Sequence, residues 1–90
     1  DVDSSYIHGG MLATLADVAG DFAVITGVGF AVPTIDLRVD YLRPARPDME
    51  LMAEGNVVKF GRQVSVADVQ VTGDGKQLLV ARGLYSTAVR

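Results

Sequence analysis

The run GGMLATLADVAGDFAVIT, residues 9–26, decides the fold. Its apolar residues, at 11, 12, 15, 16, 18, 19 and 22–25, fall on every side of a helical wheel. A helix that is apolar all round is one enclosed by its protein. Thr14, Asp17 and Asp21 are the polar exceptions. Gly27 and Gly29 then mark its end, because glycine takes up the left-handed geometry of a helix stop without strain.

Outward from the helix the period changes. In TIDLRVDYL, residues 34–42, Ile35, Leu37, Val39 and Tyr41 alternate with Thr34, Asp36, Arg38 and Asp40, the pattern of a strand with one covered face. The prolines of RPARPD, residues 43–48, break it. A second strand is expected over about residues 50–59, turning at Gly61, and a third over about 62–72. In the third, valines at 64 and 66 give way to valines at 69 and 71, a change of phase that predicts a bulge near Asp68. GDGK, residues 73–76, reads as a hairpin turn leading into a last strand, QLLVARGLYSTAV. One buried helix followed by four antiparallel strands in meander order makes an α+β domain, with the sheet wrapped around the helix.

Composition narrows the function. Ninety residues make one small domain that struggles to bury enough surface alone, and 49% hydrophobic against 21% charged residues leaves apolar surface for a partner. Long edge strands agree with pairing to a second copy. A net charge of −3 without a basic run disfavours nucleic acid. The chain has no cysteine and a single histidine, so thiolate chemistry is excluded and a transition-metal site is not expected. No run approaches the roughly 18 consecutive apolar residues of a membrane span, and the expectation is a soluble, cytoplasmic protein. A first residue other than Met suggests that upstream residues are missing.

The stretch HGGMLATLAD, residues 8–17, concentrates the chemistry. If the helix starts at Gly9, the first amides have no intrahelical acceptor. Gly9 and Gly10 then leave them open to a carbonyl oxygen or anion; plain turn glycines are the alternative. Asp17 lies amid apolar residues, where burial would raise its pKa and suit it as a general base. Alternatively, Asp17 and Asp21 mark a narrow solvated stripe. Eight residues separate Gly9 from Asp17, about 12 Å along a helix. The two cannot grip one reacting group, so a shared site needs two helices, antiparallel across a dimer axis.

HGGMLATLADVAG, TIDLRVDYLRPA and VVKFGRQVSVADVQV together resemble the hotdog-fold acyl-CoA thioesterases of the PaaI-like, phenylacetate-degradation type, over about residues 7–86. The resemblance implies dimers that often pair into tetramers, no cofactor, and an acyl-CoA substrate. It implies Asp17 as nucleophile or general base and the Gly9 amide of the other subunit as the group polarising the thioester carbonyl. His8 shapes the carbonyl-binding end, and Thr34 orients the attacking water. YLRPAR, residues 41–46, and KFGRQV, residues 59–64, match segments lining the coenzyme A path. That assigns substrate binding to Arg43, Pro44, Arg46, Lys59, Phe60, Gly61, Arg62 and Gln63, and Gly10 joins them as a substrate-binding candidate at the helix start. Ordinary surface charge is the alternative for the arginines.

Members of that family usually carry another helix and strand before the motif, which are expected upstream of Asp1, and Val2 stands near the position of a thioester-binding asparagine. The expected activity is hydrolysis of an acyl-CoA, aryl first and medium-chain aliphatic next. A non-catalytic acyl-CoA-binding module is the alternative. A hotdog dehydratase fits less well, since the only histidine directly precedes the Gly-Gly helix start.

Overall fold

The computed structural model describes residues 9–88. A 20-residue helix, α1 (Gly9–Val28), precedes four strands: β1 (Thr34–Tyr41), β2 (Leu51–Lys59), β3 (Val64–Gly73) and β4 (Lys76–Ser86). All pairings are antiparallel, in the order β1-β4-β3-β2. The expected full meander is therefore corrected. β2, β3 and β4 follow one another, but β1 pairs with β4, and residues 42–50 carry the chain from one sheet edge to the other. Ala45 is buried in that crossing and Met49 packs on the core, which ties the connection down. Alternation identifies a strand but not its neighbour, so this pairing was not legible locally.

The turn between β3 and β4 matches its sequence. Asp74 and Gly75 both have positive φ, 50° and 81°, as a two-residue hairpin turn of matching twist requires. The bulge expected near Asp68 is absent from β3. Burial there alternates unbroken through Ser65, Ala67, Val69, Val71 and Gly73, so Val64 and Val66 face away from the helix. The pairing of β3 shifts elsewhere, against β2 between Val57 and Lys59 and against β4 between Val71 and Thr72.

The helix is covered on one side only. Leu12, Ala16, Gly20 and Val24, spaced by four, are its buried residues. Met11 and Phe22 remain 67% and 63% exposed. A wheel that is apolar all round therefore reflects one face on the sheet and a second without cover in a single chain. By length and composition α1 could also cross a membrane, contrary to the reading of its interrupted apolar run; here its buried stripe lies on the sheet. Gly27 sits inside the helix with the Phe60 ring against it, and Gly29, at φ 82°, is the actual stop.

Small residues let helix and sheet close up. A Cβ on Gly55 would stand 2.6 Å from the Ala19 carbonyl oxygen, so β2 passes directly under α1. Two clusters form the core, one around Leu12, Ala16, Val71, Leu78 and Leu79 and the other around Val24, Val32, Ala67 and Tyr85. Each fully buried leucine or valine stabilises the fold by about 1.5–3 kcal/mol.

Candidate active site

Asp17 is half-buried at the middle of α1. Thr34, the first residue of β1, donates its hydroxyl to Asp17 Oδ1 at 2.9 Å. The Tyr85 hydroxyl, on a fully buried side chain, stands 3.4 Å from the same Oδ1 and from the Asp17 main-chain oxygen. Both donors thus converge on one oxygen. Among the described residues Oδ2 receives no hydrogen bond, so it is the oxygen available to a reactant. Asp17 thus lies between its two readings: it is hydrogen-bonded, but only partly enclosed.

Two glycines on different elements make the slot for Tyr85. A Cβ on Gly20 of α1 or on Gly83 of β4 would collide with the Tyr85 hydroxyl. Burial, followed by the charge of Asp17, pushes the Tyr85 pKa well above its ordinary value, so the phenol remains a donor. Asp21 lies one turn beyond Asp17. Its Oδ1 is buried with no hydrogen-bond partner among the described residues, and burial, then the Asp17 charge, raises its pKa.

At the start of α1, Tyr41 donates its hydroxyl to the Gly9 carbonyl at 3.0 Å, and Thr14 donates to the Gly10 carbonyl at 2.9 Å. His8 lies outside the described residues, as does Val2. Gly9 and Asp17 belong to the same helix, so the separation of about 12 Å stands.

The residues matched to a coenzyme A path fall into two groups at opposite ends of the helix. Arg43 and Pro44 join Gly9, Leu12, Tyr41 and Leu42 around a recess of about 330 Å³. Gly61, Arg62 and Gln63 join Val28, Phe30 and Thr87 around another of about 740 Å³. Neither includes Asp17. Arg43 Nη1 donates to the Gln77 carbonyl at 2.7 Å, and Arg46 pairs with Asp48 at 3.4 Å. Lys59 and Arg62 make no ion pair among the described residues. The Val64 carbonyl occupies the space a Gly61 side chain would need, and Thr87 donates to the Gly61 carbonyl at 2.6 Å. The glycine therefore serves the chain's own tight turn.

A further concavity of about 510 Å³, on the sheet face away from the helix, is lined by Arg38, Asp40, Asp68, Gln70 and Arg82. Most of its polar groups bond to one another or to a neighbouring strand. Arg82 grips Asp68 through two bonds of 2.7 and 2.9 Å, which holds the Asp68 carboxyl below its ordinary pKa. Gln70 bridges Gln77 and Glu54. These bonds tie neighbouring strands together.

Reading the residues singled out Asp17, the family resemblance added Thr34, and neither pointed to Tyr85, to a contact of Tyr41 with Gly9, or to a separate role for Asp21. Tyr41 was legible as one position of an alternating strand and as the first residue of a segment matched to the coenzyme A path, but not as a partner of Gly9. For Tyr85, 68 positions from Asp17, no local signal exists.

Residues 5–80 match the family model described as the thioesterase superfamily. A putative esterase of Halobacterium salinarum is 45% identical over 92 residues, covering 92% of this chain and 60% of that protein. A medium/long-chain acyl-CoA thioesterase of Escherichia coli K12 is 34% identical over 95 residues, 86% of this chain and 58% of that protein. The solved structure of the E. coli PaaI protein, from the phenylacetic acid degradation operon, gives a TM-score of 0.87 at 29% identity over 96% of this chain and 62% of that one. A hypothetical thioesterase protein of Streptococcus pneumoniae, solved with coenzyme A, gives 0.85 at 30% identity over 91% and 66%. The chain spans about 60% of the length of the two curated relatives. The α+β hotdog fold and the likeness to PaaI expected from the sequence both hold.

Proposed function

This chain belongs to the thioesterase superfamily, and we propose that it hydrolyses acyl-coenzyme A thioesters at a site assembled from two copies of itself. The observation that carries this reading is the Asp17 carboxylate, held through Oδ1 by Thr34 with Oδ2 left open, on the same helix as Gly9 but eight residues from it. In the reaction, water attacks the thioester carbonyl carbon and gives a proton to Asp17 Oδ2. The Gly9 amide of the second copy donates to the carbonyl oxygen as negative charge gathers there. The C–S bond then breaks, coenzyme A leaves as a thiolate, and the proton on Asp17 passes to that sulfur. The products are a free acid and a thiol, and no cofactor enters.

The uncovered stripe of Met11, Val18 and Phe22 on α1 supports a partner helix beside Asp17. Antiparallel pairing would set the Gly9–Arg43 recess of one copy beside the Gly61–Gln63 recess of the other, joining both groups of coenzyme A residues into one path. His8 would complete the carbonyl end. The two-fold axis gives two equivalent sites, and pairing of such dimers makes the tetramer. The acyl group is aryl first, which the PaaI likeness supports, with medium-chain groups next, which the E. coli relative supports.

Thiol release from a panel of aryl and aliphatic acyl-CoAs tests the activity. Binding without turnover would instead make the protein an acyl-CoA-binding module. Mixing two inactive variants tests the shared site. Asp17→Asn removes the base, and Gly9→Pro removes the amide at a helix position that tolerates proline. Mixed dimers keep one intact site of two, so an equal mixture should recover about a quarter of wild-type activity. A mixture as inactive as its parts rules out the two-chain site.

A further inference from the structure

The end of β1 is fastened to its neighbour more firmly than strand pairing requires. Tyr41 pairs with Leu79, and the amides of Leu42 and Arg43 both donate to the Leu78 carbonyl, at 2.8 and 3.2 Å. Arg43 Nη1 adds a bond of 2.7 Å to the Gln77 carbonyl. From this anchored end the Tyr41 hydroxyl reaches the Gly9 carbonyl at 3.0 Å, and its ring lies 3.3 Å from where a Gly9 side chain would begin. Gly9, by contrast, begins a helix with two consecutive glycines, the residues with the greatest backbone freedom, at an end where helices fray.

We infer that Tyr41 is a positioning residue: its hydroxyl fixes the Gly9 carbonyl and so sets the orientation of the first turn of α1 toward the thioester oxygen. The physical link is the planar peptide, in which the Gly9 carbonyl and the Gly10 N–H point in opposite directions and turn together. Holding the carbonyl therefore holds the Gly9–Gly10 peptide plane directly, and through the Gly9 Cα it restricts the turning of the preceding plane, whose Gly9 N–H is the donor to the thioester oxygen. Stabilisation of an oxyanion needs donors about 2.7–3.1 Å from the developing charge, placed before the reaction begins. A glycine pair left to itself would not stay so placed. At its other end β1 carries Thr34, which holds Asp17. One edge strand thus steadies both the acid and the amide end of the helix, although in a two-chain site these serve different reaction centres.

The inference rests on the thioesterase reading, and its test separates the two. In the full-length protein, Tyr41→Phe keeps the ring and removes only the exposed hydroxyl, so the fold is not at risk. The Gly9 and Gly10 amide resonances should shift and exchange faster with solvent than in wild type, while that of Asp17 stays in place. On the best acyl-CoA, kcat should fall about tenfold with KM within about twofold, because a small misplacement acts on the transition state more than on binding. Unmoved glycine resonances overturn the inference whatever the rates do, and so does a rise in KM with kcat retained. If wild-type protein turns over no acyl-CoA, the thioesterase reading fails, and the amide spectrum alone decides whether Tyr41 holds the turn.

Discussion

Thr34 Oγ1 and Asp17 Oδ1 stand 2.9 Å apart, joining the first residue of β1 to the centre of α1. The bond fixes which carboxylate oxygen is engaged and which is open. Removing the hydroxyl frees the carboxylate to rotate, without taking away the base itself.

Asp17→Asn should therefore lower kcat by about 10²–10⁴, the range expected for loss of a general base. Thr34→Ala should cost about tenfold, with KM nearly constant, and Thr34→Ser should restore most of it. Steady-state kinetics on one acyl-CoA decides this. A Thr34→Ala enzyme as fast as wild type would show that the bond positions nothing.

The Asp21 carboxyl should make the protein less stable at neutral pH than at low pH. Its folded-state pKa is raised by burial and by Asp17, so its contribution is fully present below the unfolded value, near 3.9. It is lost as pH rises through the higher folded value. Asp21→Asn should accordingly stabilise the fold at pH 7, and the gain should vanish near pH 3. Solvent reaching the half-open side chain keeps the gain below about 1 kcal/mol. Urea denaturation at the two pH values measures it, and an equal gain at both would exclude a charge effect.

Gly20→Ala should destabilise, although alanine is the better helix former by about 1 kcal/mol. The added methyl meets the Tyr85 hydroxyl, and forcing a packed core apart costs about 1–3 kcal/mol. Tyr85→Phe removes that hydroxyl. The double variant Gly20→Ala, Tyr85→Phe should then be more stable than the two single effects added together. Thermal melts of the four proteins give the coupling; strict additivity would mean the slot is not shaped by the hydroxyl.

Phe22→Asp should dissociate the protein if the uncovered side of α1 meets a second copy. Phe22 is 63% exposed in a single chain, so the substitution should leave the monomer folded. Sedimentation should report a smaller assembly than wild type, with activity lost alongside. An unchanged mass would place the contact between copies elsewhere.

The sequence by itself determined the elements, because a helical wheel, a period of two and a turn dipeptide each depend on residues close together in the chain. It also singled out Asp17, whose charge conflicts with its apolar neighbours, and the resemblance attached Thr34 to it. Tertiary structure alone decided that β1 lies beside β4 and that the helix is covered on one side. It also decided that Val64 and Val66 turn outward, so that the change in valine phase needs no bulge at Asp68. The same holds for the contacts that hold the site. Asp17 meets Thr34 across 17 positions, Gly9 meets Tyr41 across 32, and Asp17 meets Tyr85 across 68. Such contacts are set by the order in which strands pair and by the small residues, Gly20, Gly55 and Gly83, that let helix and sheet approach. Neither leaves a periodic trace in the chain, because pairing order is a balance among distant surfaces competing for burial.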